Sequence, residues 1–200
     1  MSDLLGRSTA LLVVHLQEDI VSEGTAFGSV FAAEAAARDV VEHTNVAMRA
    51  VRDHGGLVVA LRIAFAPDHS DLRPTLPLLQ MVEQAGCLKE GTTGAQLVPE
   101  LAVEDDDVVI THKRPGPFTG SDLEEVLRDR GIENVVVCGV ATNASVEGAV
   151  RQAADLGFHV VVLADATSAG DGASREASLG SMGLFATSMT VEELAASISR

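Results

Sequence analysis

A buried strand that breaks at once into a helix is the tightest constraint in this sequence. Residues 135–157 read VVVCGVATNASVEGAVRQAADLG. The β-branched run Val135–Val137 leads through Cys138 and Gly139 into Val140-Ala141-Thr142-Asn143. Apolar residues then recur at helical spacing, at Val146, Val150, Ala153, Ala154 and Leu156. Such a junction sets the first helical residues, Ser145 among them, over the carboxyl end of the strand. Unpaired N–H groups and the positive end of the helix dipole there suit an anion or a polarised carbonyl. Small residues at a strand–helix crossover also serve close packing alone. The residues by themselves leave both readings open.

The rest of the chain repeats the alternation. Thr9–Val14 is a continuous apolar run ending at His15, as expected of a strand buried on both faces. Spacing predicts one long helix from Ser29 to His54, stopped by Gly55-Gly56, and a second strand from Leu57 to Ile63. The stretch from Ala64 to Asp106 reads as a surface excursion with a short helix near Leu78–Gln84, placed to shape a pocket. A third strand, Asp107–Thr111, is followed by His112 and by a loop stiffened by Pro115 and Pro117. Ser121 and Glu124 form the pattern of a capping box for a helix from Asp122 to Arg130. After the central junction come a strand from Phe158 to Leu163, a turn at Asp165–Ser168 and a helix from Gly172 to Met182. A strand near Leu184–Ser188 and a helix from Val191 to Ile198 follow. This order predicts a parallel sheet covered on both sides by helices. It has no internal repeat or linker, so one domain over 1–200 is expected.

Composition narrows the partners. Hydrophobic residues make up 46% but aromatics only 3%, so Val, Leu, Ile and Ala must build the core. A formal net charge of -15 argues against nucleic acid and against an anionic membrane. Cys87 and Cys138 have neither metal nor disulfide spacing, which points to a reduced, cytoplasmic setting. The opening text MSDLLGRSTALLVV lacks the pattern of a signal peptide, and no apolar run approaches the ~20 residues of a membrane span. Asp68, His69 and Asp71 cluster without a second histidine at ligand spacing, so no metal is expected. The absence of a glycine-rich phosphate motif removes sequence support for a nucleotide cofactor.

In a parallel sheet, ligands bind beyond the carboxyl ends of the strands. His15, His112 and Ser145 all arrive there. A serine hydroxyl needs a base to become a nucleophile, and an imidazole of free pKa about 6.5 suits that task. The same residues can also be a small helix residue and two histidines bonded to backbone.

Two stretches carry a wider likeness: TALLVVHLQEDIV at 9–21, with Gln17 and Asp19, and the text from 106 to 158. The latter holds Phe118, Gly120, Leu123, Leu127, Gly131 and the GVATN turn. On these residues the chain resembles the isochorismatase-like cysteine hydrolase superfamily, which includes isochorismatases, nicotinamidases and N-carbamoylsarcosine amidohydrolases. The resemblance implies a three-layer α/β/α sandwich around a central, mainly parallel six-stranded sheet. It implies a cis peptide at Val140–Ala141 and an oxyanion hole that includes Ala141, with Gln17, Lys113 and Phe118 as substrate-binding candidates. It further implies a small-molecule substrate, no cofactor, and a homo-oligomer, dimer or tetramer.

The family's amidohydrolases bring together an Asp, a Lys and a Cys. In this sequence those positions hold His15, His112 and Ser145, with Lys113 beside the second. A cysteine mechanism therefore does not carry over. The site is expected to be a rebuilt Ser–His hydrolase acting on an amide or ester, or one that protonates a vinyl ether through His15. The alternative is a non-catalytic relative that binds a small molecule or another chain. Replacement by polar, titratable groups favours an active site, because such groups are costly to bury without a partner.

Overall fold

The computed structural model describes residues 7–198, the span within which the following elements lie. Residues 1–6 and 199–200, part of the opening text and of the domain expected over 1–200, lie outside the described residues. Six strands form one sheet: β1 (Thr9–Val14), β2 (Leu57–Ile63), β3 (Val108–His112), β4 (Asn134–Val140), β5 (His159–Ser168) and β6 (Thr187–Met189). Their spatial order is β3-β2-β1-β4-β5-β6 and every neighbouring pair is parallel. Chain order reverses its direction across the sheet between β1 and β4. Crevices beyond the strand ends form at such switch points.

Helices cover both faces. They are α1 (Glu18–Val21), α2 (Gly28–Ala37), α3 (Val40–Asp53), α4 (Pro77–Ala85), α5 (Leu123–Asp129), α6 (Glu147–Asp155), α7 (Gly172–Met182) and α8 (Val191–Ile198). The pleat of β1 divides its side chains between two cores. Leu11 and Val13 pack with Met48 and Val51 of α3, Leu79 of α4 and Leu194 of α8. Ala10, Leu12 and Val14 pack with Leu127 of α5, Val150 and Ala153 of α6 and Met182 of α7. The outcome is the three-layer α/β/α sandwich, with the sheet wholly parallel. Among the described residues, no helix is long and apolar enough to cross a membrane.

Several local expectations fail for tertiary reasons. The long helix from Ser29 to His54 is two helices, α2 and α3, broken at Arg38-Asp39, where Asp39 takes φ 50. A short polar side chain tolerates that left-handed geometry, and no Gly or Pro marks the break. The capping box does not form. Ser121 Oγ finds a nearer acceptor in the Pro117 carbonyl and receives Leu123 N–H at 3.3 Å, while Glu124 pairs with Arg128 at 3.5 Å. The turn expected at Asp165–Ser168 is strand, because β5 continues along β4 with Thr167 opposite Gly139 and Ser168 opposite Val140 after a register shift. β6 lies further along than Leu184–Ser188, and Leu184 is 86% exposed.

The excursion from Ala64 to Asp106 is tied to the start of the chain. Gln17 bridges to Leu97, and Asp19 Oδ2 accepts Leu88 N–H at 2.8 Å. Gly139 carries the closest approach in the sheet. Its φ is +108, and a Cβ there would stand 2.1 Å from the Val14 carbonyl oxygen. Gly139→Ala is therefore expected to lower stability by at least about 2–3 kcal/mol. Denaturant unfolding of the variant measures this, and an unchanged midpoint contradicts it.

Candidate active site

His15 follows β1 directly and keeps its N–H in the sheet, bonded to Leu61 O at 2.9 Å. Its φ of 51 is left-handed, a conformation that costs a β-carbon residue roughly 1–3 kcal/mol and persists only where the surroundings impose it. His112 ends β3, with β2 between it and β1. The two rings meet above β2. Nε2 of His15 lies 2.9 Å from Nε2 of His112, with ring centroids 4.8 Å apart and planes inclined by 23°.

A second contact fixes the protons. Nδ1 of His112 is 2.7 Å from the Arg114 carbonyl oxygen, which only accepts, so this nitrogen carries the hydrogen. In neutral His112 the Nε2 is then the acceptor, and His15 Nε2–H must be the donor. Nδ1 of His15 is left with its lone pair, and among the described residues no group bonds to it. Burial keeps both rings neutral. It lowers His15 well below the usual histidine range, and a charge on His112 lowers it further. Burial also brings His112 down to about 4, partly opposed by the bond to the Arg114 carbonyl.

Ser145 comes from the other side of the switch point. The Val140–Ala141 peptide is cis. A π-helical turn, Thr142–Val146, then wraps around the Ala141 carbonyl, which accepts the N–H groups of Ala144 and Val146, each at 3.1 Å. Hydroxyls hold this turn from behind. Thr167 Oγ1 donates to Gly139 O at 2.8 Å, Thr142 Oγ1 lies 2.8 Å from Thr167 Oγ1, and Ser178 Oγ, donating to Glu147 Oε2 at 2.6 Å, lies 3.1 Å from Thr142 O. Sequence reasoning missed Thr142, Thr167 and Ser178, whose only signal is a recurrence of small hydroxyl residues.

His15, Ala141 and Ser145 line one cavity. The space in it open to the centre of a water molecule is about 50 Å³, against the ~10–15 Å³ that one buried water requires. The remaining wall is mostly apolar, from Phe27 just before α2, Phe31 of α2, Leu79 and Val82 of α4, and Leu88. Phe27 and Phe31 stand one helical turn apart with ring centroids at 6.5 Å. In a chain of 6 phenylalanines that spacing was the available clue to the wall. His112 sits behind His15 and does not line the cavity. Among the described residues, Ser145 Oγ has no side-chain hydrogen bond, and neither imidazole reaches it in this state.

The other candidates lie elsewhere. Gln17 is fully buried, and its amide clamps backbone: Nε2 donates to Ile63 O and Ala95 O at 3.0 Å each, and Oε1 accepts Ile63 N–H at 2.8 Å. Lys113 points the other way from His112, to Ala64 O at 2.7 Å and Asp71 at 2.8 Å. Phe118 packs against Phe158 in the opposite core, with centroids 6.4 Å apart. None of the three lines the cavity. In the acidic loop, Asp71 is engaged by Lys113 and His69 by Cys87 O at 2.8 Å. Burial pushes the Cys87 thiol up to about 11 and Cys138 up to about 12, so neither is a ready thiolate.

Comparison with known proteins agrees over most of the chain. The isochorismatase domain model matches residues 9–193. An uncharacterised isochorismatase family protein, YwoC of Bacillus subtilis, is 31% identical over 173 residues, 86% of this chain and 84% of that one. The ureidoacrylate amidohydrolase RutB of Klebsiella pneumoniae is 30% identical over 186 residues, 86% of this chain and 79% of its own length. Among solved structures, a cysteine hydrolase from Pseudomonas syringae superposes with a TM-score of 0.85 at 26% identity, covering 96% of this chain and 93% of that one.

The buried pair has a consequence for stability. Both imidazoles titrate lower in the folded than in the unfolded chain. As pH falls through about 6.5, the unfolded state binds protons that the native state refuses, His112 until about pH 4 and His15 until well below the usual histidine range. Stability is thus expected to fall across that window, by at most about 1.4 kcal/mol per pH unit for each imidazole. Denaturant titrations between pH 7 and 5 should show a shallower slope in His112→Gln than in the parent chain. Equal slopes contradict the neutral pair.

Proposed function

The chain belongs to the isochorismatase family, and on that premise we propose a hydrolase of a small-molecule amide or ester with Ser145 as nucleophile and His15 as base. The observation that carries this reading is the single cavity shared by His15 and Ser145, with the outer nitrogen of His15 left unprotonated by the His112 contact. Ser145 Oγ attacks the carbonyl carbon, its proton passes to His15 Nδ1, and the backbone N–H groups of Ala141 and Ser145 receive the oxyanion. Collapse breaks the bond to the amine or alcohol, which leaves with that proton. Water then cleaves the acyl–serine ester by the reverse proton route, releasing the acid.

A buried imidazole accepts a proton reluctantly, so the pair matters. Once protonated, His15 can share the charge through Nε2 with His112, whose Nδ1–H is already oriented by the Arg114 carbonyl. The developing oxyanion favours the same charge, and the positive ring lasts only until the leaving group takes the proton. Protonation of a vinyl ether is poorly served, because a ring neutral at pH 7 with its one N–H held by His112 has no proton to give. His112 is thus a positioning residue, and Gln17 braces the wall. From the cysteine usage we propose a cytoplasmic setting, and from the family resemblance a homo-oligomer, dimer or tetramer.

Turnover of small esters and amides tests the roles. Ser145→Ala is expected to lower kcat/KM by ~10³-fold or more, and His15→Asn by ~10²-fold or more. A trapped acyl group should map to Ser145 by mass spectrometry. Undiminished turnover in Ser145→Ala removes the serine mechanism. An inert parent chain that still binds ligand saturably favours a binding protein, the reading that the unmade Ser145–imidazole contact supports.

A further inference from the structure

The lining of the cavity specifies what kind of molecule fits it. Among the described residues, its only polar side chains are the His15 imidazole and the Ser145 hydroxyl, and no lysine or arginine lines it; Phe27, Phe31, Ile63, Leu79, Val82 and Leu88 supply most of the remaining wall. Of the basic residues on the adjoining strands and loop, Lys113 is paired with Asp71 and Arg62 with Glu90, each at 2.8 Å, while Arg114 bonds only the neutral Arg73 carbonyl at 3.2 Å, on the exposed side.

We propose that the site takes an uncharged, compact carboxamide or ester with a short apolar acyl group, and rejects substrates that carry a carboxylate on that group. This rests on the hydrolase reading above and names its substrate class. When the reacting carbonyl occupies the turn after Ala141, the rest of the acyl group must lie against the apolar wall. A carboxylate there would lose its water without meeting a cation, which is among the costliest burials a protein can make. The two imidazoles add no positive charge to offset it, and a chain of net charge -15 repels an approaching anion. The same wall assists release. Hydrolysis converts a neutral amide into an acid that ionises at neutral pH, so the product becomes the species that the cavity disfavours.

Isovaleramide and malonamate form a matched probe pair, since an isopropyl group and a carboxylate have the same branched shape. Calorimetric titration of the parent chain and of Ser145→Ala reads binding apart from turnover. The expected result is saturable binding of isovaleramide to both proteins, with malonamate weaker by at least about tenfold. Malonamate binding as tightly as isovaleramide, or no saturable binding of isovaleramide, overturns the assignment. Isovaleramide that binds selectively but is not hydrolysed upholds the substrate class while removing the hydrolase reading, so the two fail separately.

Discussion

One carbonyl oxygen sets the state of the whole site. Arg114 O can only accept, so the 2.7 Å contact obliges His112 to carry its hydrogen on Nδ1. That choice passes through the 2.9 Å contact to His15 and leaves a lone pair on the nitrogen not held by His112. The fold makes the contact possible. β1 and β3 flank β2, and parallel strands bring both histidines to the same edge of the sheet. The unusual backbone of His15 lifts its ring across the neighbouring strand while its N–H stays bonded to Leu61 O. Once the rings meet under cover, neither is easily charged, because each is short of water and a second positive ring would stand a few ångströms away.

The proposed Ser–His–His site departs from the Asp, Lys and Cys pattern that the sequence resemblance implies. In that proposal, charged partners of opposite sign give way to two neutral rings, and a thiol gives way to an alcohol. The loss of fixed charge is felt twice. A neutral pair is less costly to bury than an ion pair, whose desolvation can exceed its attraction. It also leaves the cavity without an electrostatic hold on an anion, so shape and apolar contact with α2 and α4 must select the ligand. The hydroxyl ladder of Thr142, Thr167 and Ser178 preserves the turn that would receive the oxyanion.

Much of the fold was legible in the residues because a parallel sheet writes itself as apolar runs. β1 and β2 fell where Thr9–Val14 and Leu57–Ile63 placed them, as did α7 and α8. What escaped depends on distant partners. Asp39 breaks a helical text that has no glycine or proline, and β5 runs on through Asp165–Ser168 only because β4 offers it an edge. The site was half legible. Neighbours at a strand end point to opposite faces, which separates His112 from Lys113. The direction of Gln17 was hidden, since the left-handed turn at His15 cancels the strand parity that would have been used to place it. The aromatic wall was harder to read, because Phe27 and Phe31 lie at the start of α2, far in sequence from the motif.

The proton on each ring nitrogen is the most direct test of the account. Nitrogen-15 NMR of the imidazoles at pH 7 distinguishes a protonated ring nitrogen from one bearing a lone pair. The account predicts a protonated Nδ1 in His112 and a lone-pair Nδ1 in His15, with Nε2–H of His15 as the shared proton. A protonated Nδ1 in His15, as a neutral tautomer or an imidazolium, would contradict it.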